Sequence, residues 1–121
     1  MVARVIDQPS SLPGDSAQII DTQHLFRMTL GELSLQREVL ALFDRQGAMM
    51  MRRLPSADAR TKAELAHALK GSARGVGAWR VADAATLVEI AGDAIALKEL
   101  NDVVAEARAE IALVLKEASP F

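Results

Sequence analysis

The feature that most constrains the fold is the spacing of apolar residues in the middle of the chain. Over a segment of about 34–53, apolar side chains recur every three or four residues and place one apolar face along a helix. The recurring residues are Val39, Leu40, Phe43, Gly47, Met50, Met51 and Leu54. No part of the chain shows the alternation of apolar and polar residues that is typical of a half-buried strand. The pattern therefore predicts amphipathic helices.

The composition agrees with helices and argues against several classes of protein. Half of the 121 residues are hydrophobic but only 3% are aromatic, so Ala, Leu, Val, Ile and Met must form the core, which suits helices better than a β-sandwich. The net charge of −2 gives no basic field for nucleic acid, and the lack of cysteine excludes disulfides, thiol catalysis and Cys-ligated zinc. No run is long and apolar enough for a bilayer span or a signal peptide. We expect a cytoplasmic protein that binds neither nucleic acid nor membrane.

Prolines and glycines divide the chain into an arm and five helical segments. Pro9 and Pro13 lie in a lead-in that contains Ser, Gly and Asp, which predicts a flexible N-terminal arm over residues 1–19. Residues 20–121 are long enough for one domain, and several helices with short connections favour an antiparallel helical bundle.

Capping residues and apolar spacing indicate where the other helices lie. A short helix is predicted at 21–29 with Asp21 as its N-cap, and a third helix runs from a cap at Ser56 or Asp58 to about Gly75. A fourth starts near Trp79, and a fifth covers about 97–117. The apolar face of the fourth helix consists of Val81, Ala84, Ala85, Val88 and Ala91. That of the fifth consists of Leu100, Val103, Val104, Ala107, Ile111, Val114 and Leu115.

The stretch AHALKGSARGVGAW, residues 66–79, contains His67, one of two histidines in the chain. With residues 57–76 taken as a helix, Leu65, Leu69 and Val76 lie roughly 160–180° from His67 around the axis. The face that those residues bury is nearly opposite the imidazole, so His67 is expected to point to solvent. This phase disfavours a hydrogen-bonded core histidine, the usual interpretation of a lone His.

The neighbours of His67 on the predicted outer face are small or positively charged. Lys70 and Arg74 follow it by three and seven positions, and Gly71 by four. A glycine inside a helix is less favourable than alanine by about 1 kcal/mol, but it leaves room for another macromolecule beside the imidazole. Lys70 and Arg74 alone would be an ordinary solvated face. Next to an exposed histidine and a glycine they indicate a local anion site, which suggests that His67 becomes phosphorylated.

Other uses of a histidine have less support in the sequence. A metal site lacks co-ligands near His67, because the second histidine, His24, lies on a different predicted helix, so we expect no metal or cofactor in this chain. A Ser-His-Asp arrangement stays open, although nothing suggests a nucleophile elbow or a Gly-rich oxyanion loop.

The stretch around His67 resembles the histidine phosphotransfer (HPt) domain of multistep two-component phosphorelays. That family has Leu two residues after its histidine, Lys-Gly at three and four, small residues at five and six, and Gly at ten. The matching residues here are His67, Leu69, Lys70, Gly71, Ser72, Ala73 and Gly77. The family's Leu-Glu on the next helix appears as Val88-Glu89, and Asp21 and Leu25 look like its start. The resemblance covers about 21–117, although Trp79 and Arg74 are not fixed features of the family.

The resemblance implies a four-helix bundle with a short additional N-terminal helix, acting as a phosphorelay intermediate. His67 would accept a phosphoryl group from a receiver-domain aspartyl phosphate and pass it to another receiver aspartate. Lys70 would stabilise phosphate charge, Gly71 would give steric access, and Arg74 would assist. The implied partners are receiver domains of response regulators and hybrid sensor histidine kinases, with Mg²⁺ held by the receiver. We expect a monomeric phosphocarrier rather than a turnover enzyme.

Two rival functions use the same features differently. A histidine kinase also phosphorylates a helical histidine, but the chain has neither the length nor the Gly-rich phosphate loop of an ATP-binding domain. A non-catalytic helical module that binds receiver or kinase domains without phosphotransfer is the alternative. The joint spacing of His67, Lys70 and Gly71 speaks against it.

Overall fold

The computed structural model describes residues 18–118, and nearly all of that range is helical. Its elements are α1 (Thr22–Met28), α2 (Leu33–Arg53), a short 3-10 helix (Leu54–Ser56), α3 (Ala59–Val76), α4 (Trp79–Ile90) and α5 (Ala94–Ala118). No strand occurs among the described residues, so the all-α prediction is confirmed. The predicted arm, apart from Gln18 and Ile19, lies outside the described residues, as do residues 119–121 of the predicted domain.

Aspartates begin three of the helices by accepting a hydrogen bond from a backbone N–H in the first turn. Asp21 accepts from His24 in α1 and Asp58 from Thr61 in α3, so Asp58 rather than Ser56 caps the third helix. Asp93 accepts from the Ala96 N–H at 2.8 Å. This cap lets α5 begin at Ala94, three residues before the predicted start, because an Asp at this position satisfies a backbone donor that the first turn leaves unpaired.

The four long helices pack in a cycle. α2 contacts α3 and α5, α4 contacts the same two helices, and α1 packs on α3. The largest fully buried side chains are Leu40, Leu54, Leu69, Leu100, Ile111, Val81, Val88 and Val104. Between α3 and α4 the core contains the fully buried Ala66, Ala73 and Ala85, whose small side chains allow the helices to approach closely. The antiparallel sense of neighbouring helices stays a prediction.

The predicted core position Ala91 is wrong. α4 ends at Ile90, and Ala91 is exposed at its C-terminus. Gly92 follows with a φ of +65°, which turns the chain toward α5. The remaining predicted residues on the face of α4, Val81, Ala84, Ala85 and Val88, are buried.

The α3–α4 corner holds α1 in place. The Asp21 N–H donates to the Gly77 carbonyl at 2.9 Å, and the Trp79 indole N–H donates to the Asp21 carboxylate at 2.9 Å. Gly77 has a φ of +83°, and a Cβ there would lie 2.9 Å from the Asp21 carbonyl oxygen. Burial opposes ionisation of Asp21, but the hydrogen bonds from Trp79 and His24 hold its pKa below the ordinary value. The positive φ and the closeness of Asp21 together require glycine at position 77.

No helix in the described part of the chain combines the length and the apolar character that crossing a membrane needs.

Candidate functional site

His67 lies in the middle of α3 and faces outward. Its side chain is 67% exposed, whereas Ala66, Leu69 and Ala73 of the same helix are fully buried. The orientation agrees with the one predicted from helical phase. Leu65, which was placed on the buried face, is only partly buried. The structure therefore presents the imidazole to solvent from the middle of α3.

A carboxylate from the neighbouring helix joins His67 to Lys70. The Nδ1 atom of His67 lies 2.9 Å from one carboxylate oxygen of Glu89, and the Lys70 ammonium donates to the other at 2.8 Å. Glu89 is on α4, 22 residues after His67, and the packing of α3 against α4 brings the three side chains together. The Lys70 side chain is only 16% exposed, so the ion pair is partly shielded from water. We call His67, Lys70 and Glu89 the histidine triad.

The electrostatics of the histidine triad favour an ionised carboxylate. The hydrogen bond from Lys70 is the main cause that holds the pKa of Glu89 below its ordinary value of 4.5; burial opposes this, and the contact with His67 adds to it. An ionised carboxylate can only accept hydrogen bonds. In the neutral imidazole the Nδ1 atom therefore carries the proton and donates to Glu89, and the Nε2 atom keeps its lone pair.

The side of His67 toward Gly71 is open. A Cβ added at Gly71 would have no other atom within 4 Å, and the residue is exposed. Arg74, one turn further along α3, is also exposed and forms no ion pair with another described residue. Lys70, by contrast, is engaged by Glu89, which the sequence interpretation did not anticipate. All four predicted site residues lie on one helix, and two of them, His67 and Lys70, share Glu89 as a partner.

Glu89 is the site residue to which the sequence interpretation gave no role. The only signal for it was the resemblance of Val88-Glu89 to the family's Leu-Glu. Spacing along the chain could not supply the contact, because a separation of 22 residues carries no information about proximity until the packing of two helices is known.

The second histidine belongs to a separate cluster. His24 lies on α1, and its ring contacts Trp79 edge to face, with the two ring centres 4.8 Å apart. Its Nε2 atom is buried without a hydrogen-bond partner. Within residues 18–118 no group of three or more His, Asp or Glu side chains is arranged to hold a metal ion. The structure does not bring the two histidines into one site.

Comparison with known proteins identifies one family. Residues 24–117, which are most of the chain, match the family model described as "Hpt domain". No significant match was found among curated proteins, and none among solved structures.

Proposed function

Because the chain belongs to the Hpt domain family, whose members carry out histidine phosphotransfer in phosphorelays, we propose that His67 is its phosphoryl-accepting residue. One observation carries this assignment: the exposed imidazole is held at Nδ1 by Glu89, so that Nε2 faces outward with a free lone pair. His24 lacks these properties, because its Nε2 atom is buried.

The proposed reaction is a direct transfer between His67 and a receiver aspartate. The Nε2 lone pair attacks the phosphorus of an aspartyl phosphate, the Nε2–P bond forms, and the P–O bond to the aspartyl carboxylate breaks. The departing carboxylate keeps the bonding electrons. The imidazole ring gains positive charge as the bond forms, and Glu89, which accepts from Nδ1–H, stabilises that charge. The reverse reaction passes the group to the aspartate of a second receiver. In such a transfer the protein contributes mainly position and charge.

The other predicted residues have distinct proposed roles. Lys70 holds Glu89 in place, and its positive charge beside the imidazole also stabilises the transferred phosphate. Gly71 leaves the space through which the receiver approaches Nε2. Arg74 assists as a second cation on the exposed face, one turn beyond Lys70.

The wider proposal concerns partners and architecture. The partners are receiver domains of response regulators and of hybrid sensor histidine kinases, and the receiver holds the Mg²⁺ that the transfer uses. The chain acts as a monomeric phosphocarrier in the cytoplasm. Its four long helices run antiparallel, with α1 as the short additional N-terminal helix.

The test is phosphorylation by a receiver domain that has been loaded with phosphate by a small acyl phosphate. We expect the wild-type chain to acquire an acid-labile, alkali-stable phosphoryl group. His67→Gln should abolish this labelling while the far-UV circular dichroism spectrum stays unchanged, because an exposed side chain contributes little to the core. His24→Gln is the matched control and should still be labelled. Labelling of the His67→Gln protein would refute the assignment.

A non-catalytic helical interaction module is the alternative and is not favoured. Such a module has no need for an imidazole whose Nδ1 is bonded to a carboxylate and whose surroundings are open at Gly71. It would bind the receiver domain equally well with and without His67, and would never become labelled.

A further inference from the structure

Glu89 reaches the histidine triad from an unfavourable position on its own helix. It lies in the last turn of α4, one residue before the helix ends at Ile90. The last carbonyls of a helix have no partner within it and give that end a partial negative charge, which disfavours an ionised carboxylate there. The last turn of α4 contains no basic residue that would offset this charge. The position of Glu89 therefore depends on contacts from outside α4.

Lys62 of α3 makes such a contact just beyond the end of α4. Its Nζ atom donates to the Gly92 carbonyl at 3.2 Å, across 30 residues of sequence. A Cβ at Gly92 would lie 3.6 Å from the Cδ atom of Lys62, so the stem of the half-buried lysine extends along the turn. A lysine at this place pairs with a carbonyl after the helix and offsets the negative charge of the helix end.

The contact of Lys62 lies on the same side of α3 as the histidine triad. Around the axis of α3, Lys62 and Lys70 lie roughly 140° and 60° from His67 in the same direction. A cleft of about 160 Å³ between α3 and the end of α4 is lined by both Lys62 and Glu89. Within residues 18–118, Lys62 is the only α3 side chain outside the triad that hydrogen-bonds to α4 or to the turn after it.

We propose that Lys62 is a positioning residue for phosphotransfer: its bond to the Gly92 carbonyl fixes the last turn of α4 and thereby keeps the Glu89 carboxylate at Nδ1 of His67. The fixing of the turn follows from the described contacts alone, whereas its effect on transfer rests on the proposed function. The two lysines then have different roles. Lys70 binds the carboxylate directly, and Lys62 holds the turn that carries it.

Hydrogen exchange tests whether Lys62 holds the turn. Lys62→Met removes the ammonium group but keeps an unbranched stem of similar helix propensity. The backbone amides of Ile90 and Ala91 should exchange roughly two- to tenfold faster, as expected for the loss of one hydrogen bond that protects them. Those of Ala84 and Ala85, in the middle of α4, should keep their wild-type rates. Unchanged exchange at the end of α4, or faster exchange along the whole helix, would overturn the proposal.

The tautomer of His67 tests the link through Glu89. In ¹⁵N NMR spectra, Lys62→Met should lower the Nδ1–H population of His67, and Lys62→Arg, which keeps a donor on a long stem, should retain it. Lys98→Met is the matched control, because it removes a lysine that binds Asp102 within α5, and it should leave the tautomer unchanged. In a Glu89→Gln background Lys62→Met should have no further effect, whereas additive effects would contradict action through Glu89.

The rate of transfer from a phosphorylated receiver domain tests the consequence for the reaction. If only the imidazole bound to Glu89 reacts, and Lys62→Met leaves it bound half of the time, the maximal rate should fall about twofold. The receiver concentration that gives the half-maximal rate should stay the same, because Lys62 lies toward α4 and the open side of His67 lies toward Gly71.

The three measurements separate this proposal from the proposed function. A changed tautomer with an unchanged maximal rate would overturn the role of Lys62 in transfer. If neither the wild type nor any variant accepts phosphate, the proposed function has failed. Amide exchange and the tautomer of His67 then still decide whether Lys62 positions Glu89.

Discussion

Substitutions of Gly71 test whether this glycine is needed for the folding of α3 or for the docking of a receiver domain. Gly71 lies in the interior of α3, and an added Cβ would meet no atom within 4 Å. The substitution Gly71→Ala therefore introduces no clash and gains the difference in helix propensity, about 0.8 kcal/mol. With an unfolding entropy of about 2.1 cal/mol/K per residue, this gain raises Tm by roughly 3–4 °C.

Gly71→Leu keeps the better helix propensity and adds bulk beside the imidazole. The protein should be at least as stable as the wild type. The phosphotransfer rate should fall at least tenfold, because the aspartyl phosphate can no longer reach Nε2 in a geometry suitable for attack, and even small misplacements slow such reactions steeply. Thermal unfolding and phosphotransfer from a receiver domain should be measured on the same samples.

Two comparisons make the result specific to position 71. Ala105→Leu places the same leucine side chain at an exposed site on α5 and should not change the transfer rate. Gly47→Ala should gain less stability than Gly71→Ala or lose some, because its Cβ would lie 3.2 Å from Val104. If Gly71→Leu lowers Tm and leaves transfer untouched, the glycine serves the backbone, and the docking role of this face is refuted.

Three further predictions concern the contacts of α4. Glu89→Gln should slow transfer and reduce the Nδ1–H tautomer of His67 in ¹⁵N NMR spectra. Folding lowers the pKa of Glu89, so its ionised carboxylate contributes to stability above pH 4.5. The difference in the free energy of unfolding between the wild type and Glu89→Gln should vanish as pH falls through that lowered pKa. Lys70→Ala should shorten the phosphohistidine lifetime without abolishing receiver binding; an unchanged lifetime contradicts its role. Trp79→Phe should cost about 1 kcal/mol in urea unfolding through the lost bond to Asp21, with transfer retained.

Local sequence determined most of the helices and the exposure of His67. The helix bounds follow from the spacing of apolar residues and from caps such as Asp21 and Asp58, which act on backbone groups three residues away. The outward direction of His67 follows from the same periodicity. Each residue of a helix is rotated by a fixed angle from the one before it, and the apolar side chains of α3 define its buried face. These are short-range properties that a sequence carries without any partner element.

Where local signals competed, the sequence interpretation was less accurate. The apolar pattern predicts the start of the last helix three residues too late, because the Asp93 cap lies outside that pattern. Ala91 continues the apolar spacing of the fourth helix, and this spacing wrongly predicts it in the core. The structure ends that helix at Ile90, and Gly92 follows with a positive φ, so the glycine stop signal prevails over the apolar spacing.

Only the tertiary structure decided the surroundings of the imidazole. The carboxylate of Glu89 reaches His67 and Lys70 because α3 packs closely on α4 through small buried side chains such as Ala73 and Ala85. This contact fixes which ring nitrogen carries the proton and turns Lys70 from a solvated cation into a member of an ion pair. An apolar groove lined by Leu25, Val39 and Val76 likewise exists only where α1, α2 and α3 meet. A chain's own periodicity specifies which faces are apolar, whereas the distance between two side chains on different helices depends on how those faces pack.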